Sequence, residues 1–321
     1  MQKFRAGVIG VGYLGQFHAE KYTKLDGVEL AGVVDPDKDR ANQAAEKLGT
    51  RAFVDARALI GAVDLVSIVA PTVLHHRICK EFLLAGVHVL LEKPITSTLE
   101  EADELIGIAD QKMLVLQIGH IERFNPAIRT IKPLLRSPRY MQAERSAPFT
   151  VRCTDVNVIL DLMIHDLDIL CDLAGAKPRK VCSAGVSVIT KELDTATARI
   201  VFENGCIADV SASRVSDEKK RLLKIFDGRV LYTADYQTQK AYLSEPANGV
   251  TTTFPSRELP TERKDTLFDE ITDFVACVRS GKQPLVSGRE GRTALALARL
   301  ITDAIEQGKS EFASFDERGA S

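Results

Sequence analysis

The sequence predicts two domains in series. Residues 1–122 form an α/β unit with a doubly wound parallel sheet. Residues 123–321 form an α+β unit, an open antiparallel sheet with helices on one face. Three observations carry this reading. A glycine-rich turn joins the first strand to the first helix. Strands and helices alternate through the first third. After Gly119 the pattern changes to strand-like runs joined by hairpin signals.

In order, Phe4 to Ile9 is a short apolar strand, and Leu14 to Leu25 has helical character. Gly27 breaks that helix before the strand Val28 to Val34. Arg40 to Leu48 reads as a helix closed by Gly49, and Ala52-Phe53 as a short strand. Asp64 to Ala70 is a buried parallel strand halted by Pro71. Leu74 to Ala85 is a helix ended by Gly86, and Val87 to Leu91 is the next strand. Ser97 and Glu100 have the spacing of a capping box for a helix to about Lys112. Leu114 to Ile118 is the last strand of the first sheet. Asn125 and Pro126 suit the cap and first turn of a helix, and another helix runs from about Asn157 to Leu173. Strand-like runs follow at 180–189, 195–203, 206–214, 222–227, 229–235 and 238–244, with turn signals at Asn204-Gly205 and Asp227-Gly228. Helices over 267–280 and 289–307 close the chain, and residues 316–321 read as loose.

Composition narrows the function. The 321 residues carry a net charge of −2 and are 27% charged, so no basic excess points to nucleic acid. No apolar run approaches the ~20 residues that span a bilayer. The first strand starts almost at Met1, so no signal peptide is expected. None of the six cysteines forms a C-x-x-C pair, so neither a metal site nor a disulfide framework is expected. Scattered thiols fit a reducing cytoplasm.

The first turn reads Gly10-Val11-Gly12-Tyr13-Leu14-Gly15, and Asp35 lies about 20 residues beyond it. Together they form a device for holding a dinucleotide. Gly10 makes the tight turn, Gly12 lets a pyrophosphate approach the backbone, and Gly15 lets the helix pack close to the strand. The helix N-terminus offers unpaired N–H groups and a partial positive charge to the phosphates. The Asp35 carboxylate suits the two hydroxyls of an adenosine ribose and repels a 2′-phosphate, which favours NAD over NADP. Lys38 and Arg40 follow closely and soften that preference.

Other segments carry chemistry at strand ends. Glu92-Lys93-Pro94 follows a parallel strand at the sheet edge where ligands bind. A lysine there can hydrogen-bond a substrate hydroxyl and stabilise a developing alkoxide. Its alternative is a solvated Glu–Lys pair. Ala70, Pro71, Thr72 and His75 occupy the neighbouring strand end, where they would meet the cofactor. Asp161, His165 and Asp168 share one face of an otherwise apolar helix, a costly placement unless the groups are paired. His165 suits a general base, with Asp161 or Asp168 orienting it; the alternative is a structural network. His120, Arg123 and Asn125 follow the last parallel strand. Arg123 suits an anionic substrate group, His120 either a substrate or the domain junction, and Asn125 a cap or a ligand. Arg145 and Arg152, in what reads as a loop, and Arg214 are further candidate cations for a phosphate or carboxylate.

The glycine turn, Glu92-Lys93-Pro94 and Asp161-x-x-x-His165, in this order, resemble the glucose–fructose oxidoreductase/inositol dehydrogenase/rhizopine-catabolism family (Gfo/Idh/MocA) over most of the chain. The resemblance implies a Rossmann-type NAD domain followed by an open antiparallel-sheet domain that forms the substrate cleft. It also implies Lys93, Asp161 and His165 as the catalytic group, and a homodimer or homotetramer through the second-domain sheet. Gly119 to Pro126, Ala147 to Thr150 and Asp161 to Asp166 look more narrowly like dehydrogenases that oxidise nucleotide sugars at C3. That likeness implies a UDP-amino-sugar substrate bound by His120, Arg123, Asn125, Arg152, Asp161 and His165. A free-sugar or inositol dehydrogenase, or a non-catalytic sensor of NAD or sugar, are the alternatives.

Overall fold

The computed structural model describes residues 3–150, 156–247, 253–308 and 313–314. Packing divides the chain into two units: Met1–Ile121 with Asp265–Arg292, and Glu122–Lys264 with Thr293–Ser321.

The first unit holds a six-stranded parallel sheet in the order β3-β2-β1-β4-β5-β6. The strands are β1 (Phe4–Ile9), β2 (Val28–Val34), β3 (Ala52–Phe53), β4 (Leu65–Ile68), β5 (His88–Glu92) and β6 (Leu116–Gly119). The helices between them are α1 (Tyr13–Thr23), α2 (Lys38–Leu48), α3 (His75–Leu84) and α4 (Leu99–Gln111). Chain order reverses beside β1, so the β1 and β4 ends form a switch point where such sheets bind ligands. Local chemistry sets the boundaries. Asp37 caps α2, and Gly49 ends it in the left-handed region. The capping box of α4 lies one residue later than expected. Thr98 accepts from the Glu101 N–H at 3.2 Å, and the Glu101 carboxylate accepts from the N–H groups of Ser97 and Thr98.

The expected division kept residues 123–321 together, but α7 (Thr266–Ser280) packs with the first unit. Its buried Leu267, Ile271, Phe274 and Val275 join Ala19 and Tyr22 of α1 and Leu90 of β5 in one apolar core. An amphipathic helix carries no local mark of which sheet it will cover, so the sequence does not announce this return.

The second unit holds a nine-stranded sheet in the order β14-β13-β12-β11-β7-β10-β9-β8-β15. The ranges are β7 (Tyr140–Ser146), β8 (Pro178–Val186), β9 (Thr195–Phe202), β10 (Ile207–Ser213), β11 (Lys220–Asp227), β12 (Val230–Asp235), β13 (Lys240–Ser244), β14 (Ser256–Leu259) and β15 (Ala313–Ser314). The pairs are antiparallel except β7 with β10, which is parallel. The expected open antiparallel sheet is thus present, with one parallel pair within it. The cause is β7, which inserts into the middle of a sheet whose other strands follow it in sequence. One sheet face is buried: Met141 and Ala143, Ala208 and Val210, Ala198 and Ile200, and Leu223 and Ile225 share a core with residues of α5 (Pro126–Ile131), α6 (Ile164–Ala174) and α8 (Gly288–Glu306). Asn125 caps α5 ahead of Pro126, as its sequence predicts. Gly205 and Gly228 take positive φ in the two expected hairpin turns. Residues 316–321 lie outside the described residues.

Candidate active site

The turn between β1 and α1 is built by steric necessity. Gly10 has φ +86, and a Cβ there would lie 2.3 Å from the Val69 carbonyl oxygen. A Cβ on Gly15 would lie 1.8 Å from the Gly10 oxygen, whereas one on Gly12 would meet nothing within 4 Å. Gly10 and Gly15 are thus required by close approach, and Gly12 faces open space. Gly12 is also the N-cap of α1, with no side-chain cap and no acidic residue in the first turn. The N–H groups and positive dipole end of α1 are left to serve an anion.

That open space belongs to a cleft of about 710 Å³ in the first unit, lined in part by Gly10, Gly12, Asp35, Arg40, Ala70 and Pro71. Asp35, 3% exposed, accepts from the Val11 N–H at 3.0 Å, the Asp37 N–H at 3.0 Å and Arg40 Nη1 at 3.1 Å. A carboxylate offers about four lone-pair sites, so these bonds fix Asp35 and leave room for one more donor, as a ribose hydroxyl would be. The helix end, the Gly12 opening and this carboxylate together fit a dinucleotide. Arg57, Arg77 and Glu81 also line the cleft. No sequence motif marked them, because they come from the turn after β3 and from α3.

Tyr13, Leu14, Gly15, Thr72, His75, Glu92 and Lys93 stand outside this wall. Tyr13 and Leu14 are exposed. His75 was expected to meet the cofactor. It is 1% exposed, with Nδ1 2.8 Å from the Pro94 oxygen and Nε2 2.8 Å from the Ala70 oxygen. A neutral imidazole carries one N–H, so His75 donates to one of these two oxygens and lies 2.8 Å from the other, between the exits of β4 and β5. Burial pulls its pKa down. Lys93 is half-buried immediately after β5, and its peptide bond to Pro94 is cis. Burial pushes the neighbouring Glu92 carboxyl up. The hydrogen bond from His18 Nε2 at 3.2 Å and the charges of His18 and Lys93 outweigh that, leaving it below its ordinary value. His120 is buried just after β6.

In the second unit, the expected helix from Asn157 begins as a π-turn over Ile159–Met163 and continues as α6. Such wide turns cluster at functional sites. Asp161 lies in the π-turn and His165 in the first turn of α6; both are half-buried. Asp168 was expected on the same face, but it is 2% exposed and accepts from Arg123 Nε at 2.8 Å. Arg123 also pairs with Asp172. Both its sides are taken by carboxylates, the buried Asp168 and the half-buried Asp172, so Arg123 ties its turn to α6 and is corrected from an anion-binding group to a scaffold one. Of the two readings of Asn125, cap or ligand, it takes the cap: its Oδ1 accepts from the Ala127 N–H, and its Nδ2 donates to Glu122 and to the Tyr236 oxygen.

The remaining arginines divide. Arg145 was read as lying in a loop, but it sits in β7, 3% exposed. It forks onto Asp166 at 2.6 and 3.1 Å and reaches Glu122 at 3.1 Å. Burial opposes its charge, but the two carboxylates hold it firmly protonated. Arg214 donates to Asp194, to the Val156 oxygen and to Thr190. Arg152 lies outside the described residues. Arg221, which no motif marked, is half-exposed beside Glu122 at 3.6 Å, its pKa pulled down by burial and by the charge of Arg145. Arg145→Met would strand Asp166 without its hydrogen-bonded cation and leave Glu122 only Arg221 at 3.6 Å. A broken buried pair costs about 3–5 kcal/mol, so the variant is expected to lose that much stability in denaturant titration, with Arg145→Lys recovering only part because an ammonium cannot fork.

Residues 4–120 match the description "Oxidoreductase family, NAD-binding Rossmann fold", and residues 135–230 match "GFO/IDH/MocA C-terminal domain". UDP-N-acetylglucosamine 3-dehydrogenase of Acidithiobacillus ferrooxidans is 41% identical over 310 residues, covering 95% of this chain and 98% of that one. The chain belongs to the GFO/IDH/MocA oxidoreductase family. A solved structure of UDP-N-acetylglucosamine 3-dehydrogenase GnnA from Acidithiobacillus ferrooxidans matches it with a TM-score of 0.90, over 96% of this chain and 99% of that one. Another relative, the myo-inositol 2-dehydrogenase of Thermotoga maritima, is 26% identical over 95% of this chain and 97% of its own.

The protein is an NAD-dependent oxidoreductase with a Rossmann-type cofactor domain. A charge-assisted hydrogen bond is worth about 1.5–3 kcal/mol. Asp35→Ala is therefore expected to weaken NAD binding about 10- to 100-fold. Arg40, released from its bond to Asp35, then favours NADP, so the NAD-to-NADP affinity ratio falls by more than NAD affinity alone. Titration of both dinucleotides by calorimetry checks this.

Proposed function

We propose that the protein oxidises the C3 hydroxyl of a UDP-amino-sugar such as UDP-N-acetylglucosamine to the ketone. The observation that carries this is the 41% identity, over nearly the full length of both chains, with a protein of that activity. Three groups do the chemistry. His165 takes the hydroxyl proton. Asp161, on the same helix, orients the imidazole and stabilises its charged form. Lys93 hydrogen-bonds the substrate oxygen and stabilises the negative charge that develops on it as its proton leaves, before that charge departs with the hydride. NAD, when bound, supplies the acceptor for the hydride leaving C3.

Three of the arginines first considered for the diphosphate, Arg123, Arg145 and Arg214, are engaged in buried pairs. Arg221 is the better candidate, because its exposed part is poorly compensated and sits beside another cation. The uncovered sheet face carries Tyr140, Leu222, Phe226, Leu231 and Tyr242 among charged residues. We assign this face to self-association as a dimer or tetramer. No helix of the described residues is long and apolar enough to cross a membrane, and we place the enzyme in the cytoplasm.

The test is NADH formation by the purified protein from UDP-N-acetylglucosamine, with an aminotransferase draining the ketone because alcohol oxidation is uphill. Myo-inositol and free N-acetylglucosamine serve as comparisons. Turnover confined to the UDP-sugar supports the reading; turnover of the free polyol alone replaces it with the inositol-dehydrogenase alternative.

A further inference from the structure

The first unit buries a line of polar side chains inside its apolar core. Cross-strand register places Ser67 of β4, Leu90 of β5 and Gln117 of β6 side by side, with Glu92 two residues beyond Leu90 and paired with Gly119. These residues therefore share one sheet face. α1 brings His18 and Tyr22 to that face: His18 bonds Glu92, and the Tyr22 hydroxyl lies 2.8 Å from Ser67 Oγ. α7 brings Glu270, whose backbone oxygen accepts from Gln117 Nε2 at 3.1 Å.

Glu270 is the anomaly. It is 0% exposed, and neither carboxylate oxygen has a hydrogen-bond partner. Its charged neighbours are acidic: Glu92 across the core and Asp273 on its own helix. His18, the nearby basic group, bonds Glu92 instead. An ionised carboxylate in such a place costs several kcal/mol without returning a hydrogen bond. Two carboxylates sharing a dry site do not both ionise. The neighbourhood is also rich in acceptors, because the Gln117 Oε1 is likewise unmatched. A protonated carboxyl brings an O–H donor to it.

We propose that Glu270 is a neutral carboxylic acid, so that Glu92 and Glu270 hold one proton between them and present a single negative charge behind Lys93. Glu270 then acts as a positioning residue. It acts through its charge state: neutral beside Glu92, which accepts from the Lys93 backbone N–H at 3.3 Å, it keeps the field on the lysine at one charge rather than two. The part played by Lys93 rests on the function proposed above; the protonation of Glu270 does not.

Infrared difference spectra of wild type minus Glu270→Gln, taken on the full-length protein at neutral pH, test the proton directly. A carbonyl band of a protonated carboxyl present in wild type and absent in the variant is expected; its absence from wild type overturns the proposal. Melting gives a second reading. A buried acid that stays protonated holds its proton in the folded state, while the unfolded chain loses it above about pH 4.3. Folding stability from this group therefore falls as pH rises. The melting temperature of Glu270→Gln relative to wild type is expected to climb between about pH 5 and pH 8; a difference constant with pH overturns the assignment. For the positioning role, Glu92→Gln is expected to move the lysine limb of the pH–kcat profile about one unit toward lower pH. Glu270→Gln is expected to leave the limb in place. A shift of the same size in both variants, or in neither, overturns the single-charge arrangement. If no sugar is turned over, the spectra and melts still decide the proton.

Discussion

Replacing Lys93 with Met is expected to lower kcat for sugar oxidation by about 10²- to 10⁴-fold, the range for loss of a positioned acid–base group. Met keeps the length and apolar body of the side chain but removes the ammonium. The lysine stands after β5 and outside the wall of the dinucleotide cleft, so NAD affinity is expected to change by no more than about twofold. The loss then falls on the chemical step rather than on cofactor binding. His165→Asn is expected to fall in the same range, because it removes the base while keeping a polar side chain. Steady-state kinetics with the draining aminotransferase give kcat, and NADH fluorescence titration gives the affinity. A Lys93→Met protein that retains kcat within about threefold removes the lysine from the chemistry.

The second large effect separates two glycines of one turn. A Cβ on Gly15 collides with the Gly10 carbonyl at 1.8 Å, and backbone on both sides must shift. Gly15→Ala is expected to lose about 1–3 kcal/mol of stability or more, together with NAD binding. A Cβ on Gly12 meets no protein atom within 4 Å, and Gly12 has a negative φ of −64 that alanine accepts. Gly12→Ala is therefore expected to melt within about 0.5 kcal/mol of wild type. The added methyl occupies the approach of the pyrophosphate, so NAD affinity falls at least about tenfold, or 1.4 kcal/mol. Thermal melts with and without NAD check both. Equal effects of the two substitutions on stability contradict the division of labour between the glycines.

What could be read from the chain follows from how local the cause is. The glycine turn, Asp35, the Asn125-Pro126 start of α5 and the hairpin glycines are set by backbone geometry within a few residues, and they stand where the sequence puts them. β7 escaped notice because Arg145 breaks its alternation. Met141 and Ala143 face the core as a strand pattern requires, but the next inward position carries a cation whose partners, Glu122 and Asp166, lie 23 and 21 residues away. Separations of 45 residues to Asp168 and 20 to Asp194 likewise hid the roles of Arg123 and Arg214, which look like anion-binding residues until their carboxylates are seen. The return of α7 to the first unit, and with it Glu270, depends on packing between segments more than a hundred residues apart, as in the bond from Gln117 to Glu270.

The proposed reaction moves hydride from C3 of a UDP-sugar to NAD. UDP-N-acetylglucosamine deuterated at C3, incubated with the enzyme, NAD and the draining aminotransferase, tests it most directly. The NADH recovered is expected to carry the deuterium, and substrate labelled at C4 instead is expected to give unlabelled NADH. Unlabelled NADH from the C3-deuterated sugar would contradict it.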